Sequence, residues 1–240
     1  MIEIDQLTVA VDDPTAPSSS SGSRATGTTE LLHGITTRLT ARTTAVIGEN
    51  GSGKSTLARA IGGLQKPTSG SIRVHDIDTV RQAKQLRRAV GFIFASPAAQ
   101  VIMPTVREDV ALTLRGRGLS RAEITERVNT ALAEHELTDL ADRPCLTLSS
   151  GQLQRLALCS VWVGEPSLVI ADEPTSLLDA RHARLVTARL LDQSPQLLLV
   201  THDLDLARRC EEAVLIDDGV LAAQGAAEDV IAAYEQVLAR

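Results

Sequence analysis

The sequence predicts an α/β fold in which buried, parallel strands lie between helices. The run Leu168–Ala171, which is apolar at every position, is typical of strands covered on both faces, and Thr44–Ile47 also has the pattern of a buried strand. Between such runs, Pro97–Trp162 carries helical spacing and capping patterns instead. These observations together favour a parallel sheet with a helical insertion.

The first part of the chain alternates between strand patterns and turns. Ile2–Val11 alternates as a half-exposed strand, and Leu31–Leu39 resumes that pattern. Residues 12–29 between them are rich in Pro, Ser, Thr and Gly, which predicts a flexible surface connection of a hairpin, with a functional loop as the alternative. Pro67–Gly70 is a turn signal before the strand-like Ser71–Val74.

The middle of the chain predicts an inserted helical subdomain over roughly residues 97–162. Thr105 with Glu108, and Ser120 with Glu123, match the capping box, in which a hydroxyl and a carboxylate bond each other's backbone N–H groups. Apolar residues then recur at helical spacing, namely Ile124, Val128, Ala131 and Leu132.

The last part of the chain returns to strands. Leu197–Val200 and Val214–Ile216 are continuous apolar runs of the buried-strand kind. Asp217–Gly219 then predicts a hairpin turn into Val220–Ala223.

Composition excludes several classes of protein. A chain of 240 residues with net charge -6 and 2% aromatic residues is a poor nucleic-acid binder, so no nucleic-acid partner is expected. The three cysteines, Cys145, Cys159 and Cys210, have no C-x-x-C spacing, which indicates reduced thiols in a cytosolic protein. The N-terminus lacks an apolar signal region, and no apolar run approaches the roughly 18 residues of a membrane span. If a membrane is involved, a partner supplies it.

The segment from Gly48 to Ser55 fits the phosphate-binding pattern G-x-x-x-x-G-K-[ST], with a strand before it and a helix after it. Its glycines let the backbone approach phosphate, Lys54 is expected to contact the β- and γ-phosphates, and Ser55 is expected to ligate Mg²⁺. The alternative is an ordinary Gly/Ser-rich turn before a helix. The candidate nucleotide-binding residues here, called the phosphate loop below, are Gly48, Glu49, Asn50, Gly51, Ser52, Gly53, Lys54, Ser55 and Thr56.

Two carboxylates follow the buried run Leu168–Ala171. Asp172 and Glu173 lie where a parallel strand ends, which is the edge at which α/β proteins bind ligands. We therefore expect Asp172 to hold Mg²⁺ directly or through water, and Glu173 to polarise a water molecule for attack on the γ-phosphorus. Acidic residues after a strand are common, so this interpretation depends on the phosphate loop.

Further motifs extend the pattern over nearly the whole chain. Leu148–Gln152, called the signature segment below, opens a helix and on its own is compatible with an ordinary hydroxyl cap. Together with the phosphate loop, Asp172–Glu173, Ser176–Asp179 and His202, it resembles an ABC-type ATPase. The resemblance implies one domain over residues 1–240, with a P-loop NTPase core, an antiparallel β-subdomain and the helical insertion.

The resemblance also implies an ATP site shared between two ATPase subunits, as a homodimer or a heterodimer, with ATP and Mg²⁺ as cofactors. Ser149, Gly151 and Gln152 of one subunit would contact the γ-phosphate held by the other. His202 would support that phosphate and the attacking water, its alternative being a satisfied histidine at a strand end. Asp179 would lie at the dimer seam.

Three positions depart from the family pattern. Ser150 replaces a usual glycine of the signature segment. Ala95 stands where a glutamine usually ligates Mg²⁺ and couples subunits; either water replaces the amide or Gln100 approaches from the next turn. Val11 stands where relatives often place an aromatic residue for stacking on adenine.

Val90–Val110 is similar to the corresponding stretch of energy-coupling-factor importer ATPases, and its run Val101–Val106 is closer to the biotin group than to cobalt or nickel relatives. This resemblance implies a transmembrane coupling protein and a substrate-binding membrane protein as partners, at the cytoplasmic face of the membrane. ATPases of other importers or exporters, and soluble ABC ATPases of DNA or translation, are the alternatives.

Overall fold

The computed structural model describes residues 1–13, 27–176 and 178–238. Internal contacts divide the chain into two compact units, Met1–Arg87 with Leu198–Arg240, and Arg88–Leu197. Both units contain helices and strands, in agreement with the predicted α/β class. The second unit extends beyond the predicted insertion of residues 97–162 at both ends.

The first unit begins with two long strands, a buried strand and a helix, followed by two short strands. In chain order these are β1 (Ile2–Asp13), β2 (Gly27–Leu39), β3 (Thr43–Ile47), α1 (Lys54–Ile61), β4 (Ser69–Val74) and β5 (Ile77–Asp78). Helix α2 (Ala83–Ala89) leads out of the unit.

The second unit alternates strands and helices around a helical centre. Its elements are β6 (Val90–Ile93), α3 (Pro97–Gln100), α4 (Val106–Leu114), α5 (Arg121–Glu134), α6 (Ser150–Trp162), β7 (Leu168–Asp172) and α7 (Ala180–Gln193). The chain then completes the first unit with β8 (Leu197–Val200), α8 (Leu204–Ala207), β9 (Glu212–Asp217), β10 (Val220–Ala226) and α9 (Ala227–Leu238).

An antiparallel sheet of order β2-β1-β4-β5 forms one side of the first unit. Its long hairpin extends further than predicted, because Asp12 pairs with Thr28 and Asp13 with Gly27. The remainder of the predicted loop, residues 14–26, lies outside the described residues. Val11 pairs with Thr29 and is 38% exposed, so an aliphatic side chain stands at the position discussed for adenine stacking.

The other sheet of the first unit places β3 between β9 and β8, with β10 beyond β9. All five residues of β3 are buried, and β3 runs parallel to β9, as the apolar runs predict. The phosphate loop follows β3 directly, so this buried strand positions it.

The second unit contains the parallel pair β6 and β7, in which Ile93 pairs with Ala171. Both predicted capping boxes are present, at Thr105 for α4 and at Ser120 for α5. The helices share an apolar core whose fully buried members include Val106, Val110, Leu114, Val128, Leu132 and Leu156. In the described part of the chain, no helix is both long and apolar enough to cross a membrane.

The cysteines are buried and unpaired, in agreement with reduced thiols. Burial raises the pKa of Cys159 and of Cys210 to about 12. A thiol becomes a nucleophile only as the thiolate, so these two groups are unreactive at neutral pH.

Candidate nucleotide site

The phosphate loop depends on glycines in backbone conformations that other residues avoid. Gly48, Gly51 and Gly53 have φ angles of 141°, 87° and 105°. A Cβ at Gly48 would lie 2.0 Å from the carbonyl oxygen of Ile216, and one at Gly53 would lie 2.7 Å from Leu32 Cδ2. These two glycines are therefore fixed by space as well as by conformation.

Gly51 has a different environment from the other two glycines of the loop. Nothing lies within 4 Å of a Cβ placed there, and Glu49 and Asn50 beside it are exposed. The exposed rim of the loop is thus open to a ligand, whereas its ends are packed against the protein.

Lys54 begins α1 and lies beneath the loop. It is buried, and its Nζ donates to the carbonyl oxygens of Gly48 and Glu49 at 2.9 and 2.6 Å. The N-cap of α1 is Gly53, which has no side chain to cap the first N–H groups of the helix. A positive helix end with a lysine is the arrangement that binds phosphate.

The loop residues fit a polyphosphate. Ser52 Oγ is buried and has no hydrogen-bond partner among the described residues, so the loop contains an orphan hydroxyl. Ser55 and Thr56 follow in the first turn of α1 and are half-buried. The hydroxyl of Ser55 is an oxygen donor of the kind that Mg²⁺ prefers.

The hairpin between β9 and β10 supports the phosphate loop from far along the chain. Its turn has positive φ at Asp218 (43°) and Gly219 (75°). The Gly219 N–H donates to the Ser52 carbonyl at 2.9 Å, and the Gly219 carbonyl accepts from the His33 N–H at 2.9 Å. The sequence identified this segment as a turn but contained no sign of the contact with the loop.

Helix α9 packs against β9 and β10, the hairpin whose turn contacts the phosphate loop. Burial raises the pKa of Tyr234 in this helix, and the negative charges of Glu49 and Asp217 raise it further.

His202 follows β8 at the sheet edge from which the phosphate loop emerges. The Thr201 N–H donates to the Val46 carbonyl at 3.2 Å, which aligns the ends of β8 and β3. Asp203 caps α8 and also bonds Thr201 Oγ1 through its N–H at 3.0 Å. The first unit thus brings the exposed His202 and the phosphate loop to one edge.

In the second unit, the predicted carboxylates end β7. Asp172 is 5% exposed, and Glu173 adopts a left-handed conformation with φ of 51°. The Ser176 N–H and Oγ both donate to the Glu173 carbonyl, at 3.3 and 3.1 Å. Such a backbone is uncommon for a non-glycine residue, and residues held in it occur in turns and cluster at active sites.

Ala95 lies two residues beyond β6, at the same sheet edge as the end of β7. The structure does not support Gln100 as its replacement, because the Gln100 amide is bonded elsewhere. Gln100 Nε2 donates to the Ala157 carbonyl at 3.1 Å, and Gln100 Oε1 accepts from the Phe94 N–H at 3.4 Å. This amide ties the loop to α6, and the alternative in which water replaces the missing ligand stays a prediction.

The signature segment is a capped helix start. Ser149 Oγ accepts from the Gln152 N–H at 3.4 Å, while the Ser149 N–H donates to Gln152 Oε1 at 2.9 Å. Ser150 is the first residue of α6 and needs no glycine conformation, which explains why serine is tolerated there. Gly151 is more constrained, because a Cβ would lie 3.1 Å from His182 Nε2.

Asp179 caps the next helix of this unit, α7. Its Oδ1 accepts from the Arg181 and His182 N–H groups at 3.0 and 2.9 Å. The backbone hydrogen bond from His182, followed by the side-chain one, lowers the pKa of Asp179.

Asp109 is a buried carboxylate that the sequence analysis missed. It is 5% exposed, and its Oδ1 accepts from the Ile102 and Met103 N–H groups at 2.9 and 3.0 Å. Its Oδ2 accepts from Ser160 Oγ at 3.1 Å, which joins the 101–103 segment to α6. In the sequence, Asp109 stood out only as the residue that follows Glu108, the capping-box partner of Thr105.

Comparison with known proteins identifies the family. A family profile described as "ABC transporter" matches residues 32–176. The chain is 42% identical over 213 residues to the "Biotin transport ATP-binding protein BioM" of Rhizobium etli, covering 89% of this chain and 95% of that protein.

Solved structures agree with this assignment. CbiO1 from Clostridium perfringens, described as part of the ABC transporter complex CbiONQ, superposes with a TM-score of 0.77 at 30% identity over 98% of this chain and 92% of that chain. The ATP-binding cassette MJ0796, a dimer in a post-hydrolysis state with ADP and Pi, has a TM-score of 0.78 at 25% identity over 95% and 99% of the two chains. The chain therefore belongs to the ABC transporter family and is an ATPase.

Proposed function

We propose that this chain is the ATP-hydrolysing subunit of an energy-coupling-factor type importer. The observation that carries the proposal is the phosphate loop, whose glycine conformations, buried Lys54 and orphan Ser52 hydroxyl fit a bound triphosphate. The similarity to a biotin transport ATP-binding protein supports transport of a vitamin, and the similarity to CbiO1 supports a place in an ABC transporter complex.

The phosphate loop binds and orients the triphosphate of ATP. Lys54 neutralises the β- and γ-phosphates, while loop N–H groups and the start of α1 bind phosphate oxygens. Ser55 and Asp172 would hold Mg²⁺, which supplies charge neutralisation on the phosphates when bound. Glu173 polarises the attacking water, and His202 supports the γ-phosphate.

A second ATPase subunit completes the site. Ser149, Gly151 and Gln152 begin a helix whose N-terminal dipole favours a phosphate of the other subunit. ATP then stabilises a closed dimer, and hydrolysis allows it to reopen. The dimeric cassette MJ0796 supports this arrangement.

Residues 95–110, the coupling surface, are the part proposed to contact the membrane partner. Asp109 fixes the backbone of Ile102 and Met103, and the Ile102 side chain is 74% exposed. A fixed backbone with a projecting apolar side chain is suited to docking a helix of a transmembrane coupling protein. The subunit then works at the cytoplasmic face of the membrane, beside a substrate-binding membrane protein.

Biotin is the solute we favour, with cobalt or nickel next. The Val101–Val106 run and the 42% identity to a biotin transport ATP-binding protein support biotin, whereas the likeness to CbiO1 fits either choice. The solute pocket belongs to another protein in this scheme, so the ATPase does not itself select the solute.

Purification from membranes tests the proposal. A tagged chain is extracted with detergent, and partner chains and bound solute are identified by mass spectrometry, with Glu173→Gln used to hold the ATP-bound dimer. We expect a membrane coupling protein and biotin to copurify with an ATPase activity that Lys54→Ala abolishes. Recovery of an exporter, ribosomes or DNA would contradict the proposal, as would a Glu173→Gln protein with the parent's turnover.

A further inference from the structure

A polar contact within the second unit links α7 to the signature segment. His182 lies in the first turn of α7, and its Nδ1 is 2.7 Å from Asp179 Oδ2. An ionised carboxylate only accepts hydrogen bonds, so Nδ1 carries a proton. The other side of the ring lies against Gly151, where a Cβ would be 3.1 Å from Nε2 and 3.4 Å from Cδ2.

The imidazole completes the hydrogen bonding of Asp179. Oδ1 of Asp179 is engaged by the backbone of α7, and Oδ2 is engaged by the ring. Residues of α7 therefore form hydrogen bonds to both carboxylate oxygens of Asp179. Among the described contacts, only the His182 ring bonds Oδ2. Removal of the ring would release that oxygen and open space beside Gly151.

Charged groups surround the ring in a cavity of about 350 Å³ between α6 and α7. The cavity is lined by Arg155, Arg181, Arg189 and Glu136 in addition to His182, and Arg155 is bonded to Glu136 at 2.8 Å. His135 also lines it, and burial with the charge of Arg189 lowers the pKa of this histidine. Asp179 is the carboxylate in direct contact with the ring.

We propose that His182 is a positioning residue of the shared ATP site, holding Asp179 and the turn at Gly151 in one fixed arrangement. The proposal rests on the proposed function, which places both elements at the seam of an ATPase dimer. This role also explains why position 150 tolerates a serine while position 151 is a glycine, because the His182 ring occupies the space next to Gly151.

Kinetics of the full-length chain test this role. His182→Leu removes the donor and fills the space, and His182→Asn keeps an N–H donor. Arg38→Gln is the control, since it removes a surface ion pair with Glu3 on the antiparallel sheet. For His182→Leu we expect kcat to fall roughly two- to fivefold, as for loss of an exposed charged contact, with a smaller change in KM for ATP.

Rescue by the conservative variant separates positioning from simple stability. His182→Asn is expected to keep a larger share of the parent's kcat than His182→Leu, because its side chain retains an N–H donor for Asp179 Oδ2. Asp179→Asn combined with His182→Leu should cost less than the two single losses added, since both remove one contact.

Two results would overturn the proposal. One is a folded His182→Leu protein with the parent's kcat, even if its melting temperature falls. The other, decisive if His182→Leu does not fold, is a folded Asp179→Asn protein with the parent's kcat, because that variant keeps the oxygen that caps α7 and loses the acceptor of the ring. A parent that neither hydrolyses ATP nor dimerises with it would instead overturn the proposed function.

Discussion

The phosphate loop and the signature segment both begin a helix that is proposed to face a phosphate, but their geometries are maintained differently. The phosphate loop is shaped by distant residues, since Ile216 and Gly219 contact it from more than 160 positions along the chain. The signature segment is shaped by its own capping box between Ser149 and Gln152, with His182 of α7 beside Gly151 as its distant contact. The proposed nucleotide-holding loop thus depends on its sheet, while the segment proposed for a second subunit depends more on local hydrogen bonds.

This difference implies different responses to mutation. A larger side chain beneath the phosphate loop forces the closely packed backbone there to move, which lowers the free energy of unfolding. A change in a capping box affects one helix end and costs about 1 kcal/mol. The three predictions that follow rank changes by this contrast.

The largest effect is expected for Gly219→Ala. The residue has φ of 75°, and a Cβ would lie 2.6 Å from His33 Cδ2 and 2.7 Å from the Leu31 carbonyl oxygen. The free energy of unfolding should fall by about 2–4 kcal/mol. KM for ATP should rise because the hydrogen bond from the Gly219 N–H to the Ser52 carbonyl is disturbed. Denaturant titration and steady-state kinetics measure the two effects.

Gly118→Ala is the matched control for this change. Gly118 has φ of 81°, but nothing lies within 4 Å of a Cβ there. It should lose only about 1–2 kcal/mol, with KM unchanged. Equal losses in the two variants, with KM unaltered in both, would show that the hairpin does not position the phosphate loop.

A smaller effect is expected for Ser149→Ala, which removes the cap of α6. The free energy of unfolding should fall by about 1 kcal/mol and the ATPase rate should drop. Ser120→Ala removes the same kind of capping box from α5 and should destabilise equally without altering the rate. If both variants kept the parent's rate, the signature segment would have no role in turnover.

The smallest effect on stability is expected for Ala95→Gln, where the side chain is half-buried. The free energy of unfolding should change by no more than about 0.5 kcal/mol. The ATPase rate should rise, or its Mg²⁺ dependence tighten, because an amide ligand returns. Ala98→Gln, in the exposed part of α3, serves as the control. If the parent and Ala95→Gln had the same ATPase rate and the same Mg²⁺ dependence, the alanine at position 95 would not be limiting activity.

Features governed by local spacing were predictable from the sequence. The capping boxes at Thr105 and Ser120 lie where the hydroxyl and carboxylate spacing placed them. The apolar runs formed buried strands, and β3 with β9 and β6 with β7 are parallel pairs. Hydroxyl caps and strand periodicity involve neighbours within a few residues, so the chain itself carries the information.

Features that depend on tertiary contacts were not predictable. Three contacts of this kind join segments far apart in sequence. They are the hydrogen bond from Gly219 to Ser52, the hydrogen bond between Ser160 and Asp109, and the packing of the His182 ring beside Gly151. No spacing rule connects such positions, because packing in the folded chain brings them together. The fold class and the site motifs therefore came from local patterns, while the supports of those motifs required the structure.

The backbone of Glu173 has a consequence for the evolution and engineering of this enzyme. Its φ of 51° costs a glutamate free energy that glycine or asparagine would largely recover. A selection for heat resistance alone would thus favour replacing the residue proposed to activate water. Thermostable variants of this chain should be sequenced at position 173 before their stability is counted as an improvement, since the gain would come at the residue proposed as the catalytic base.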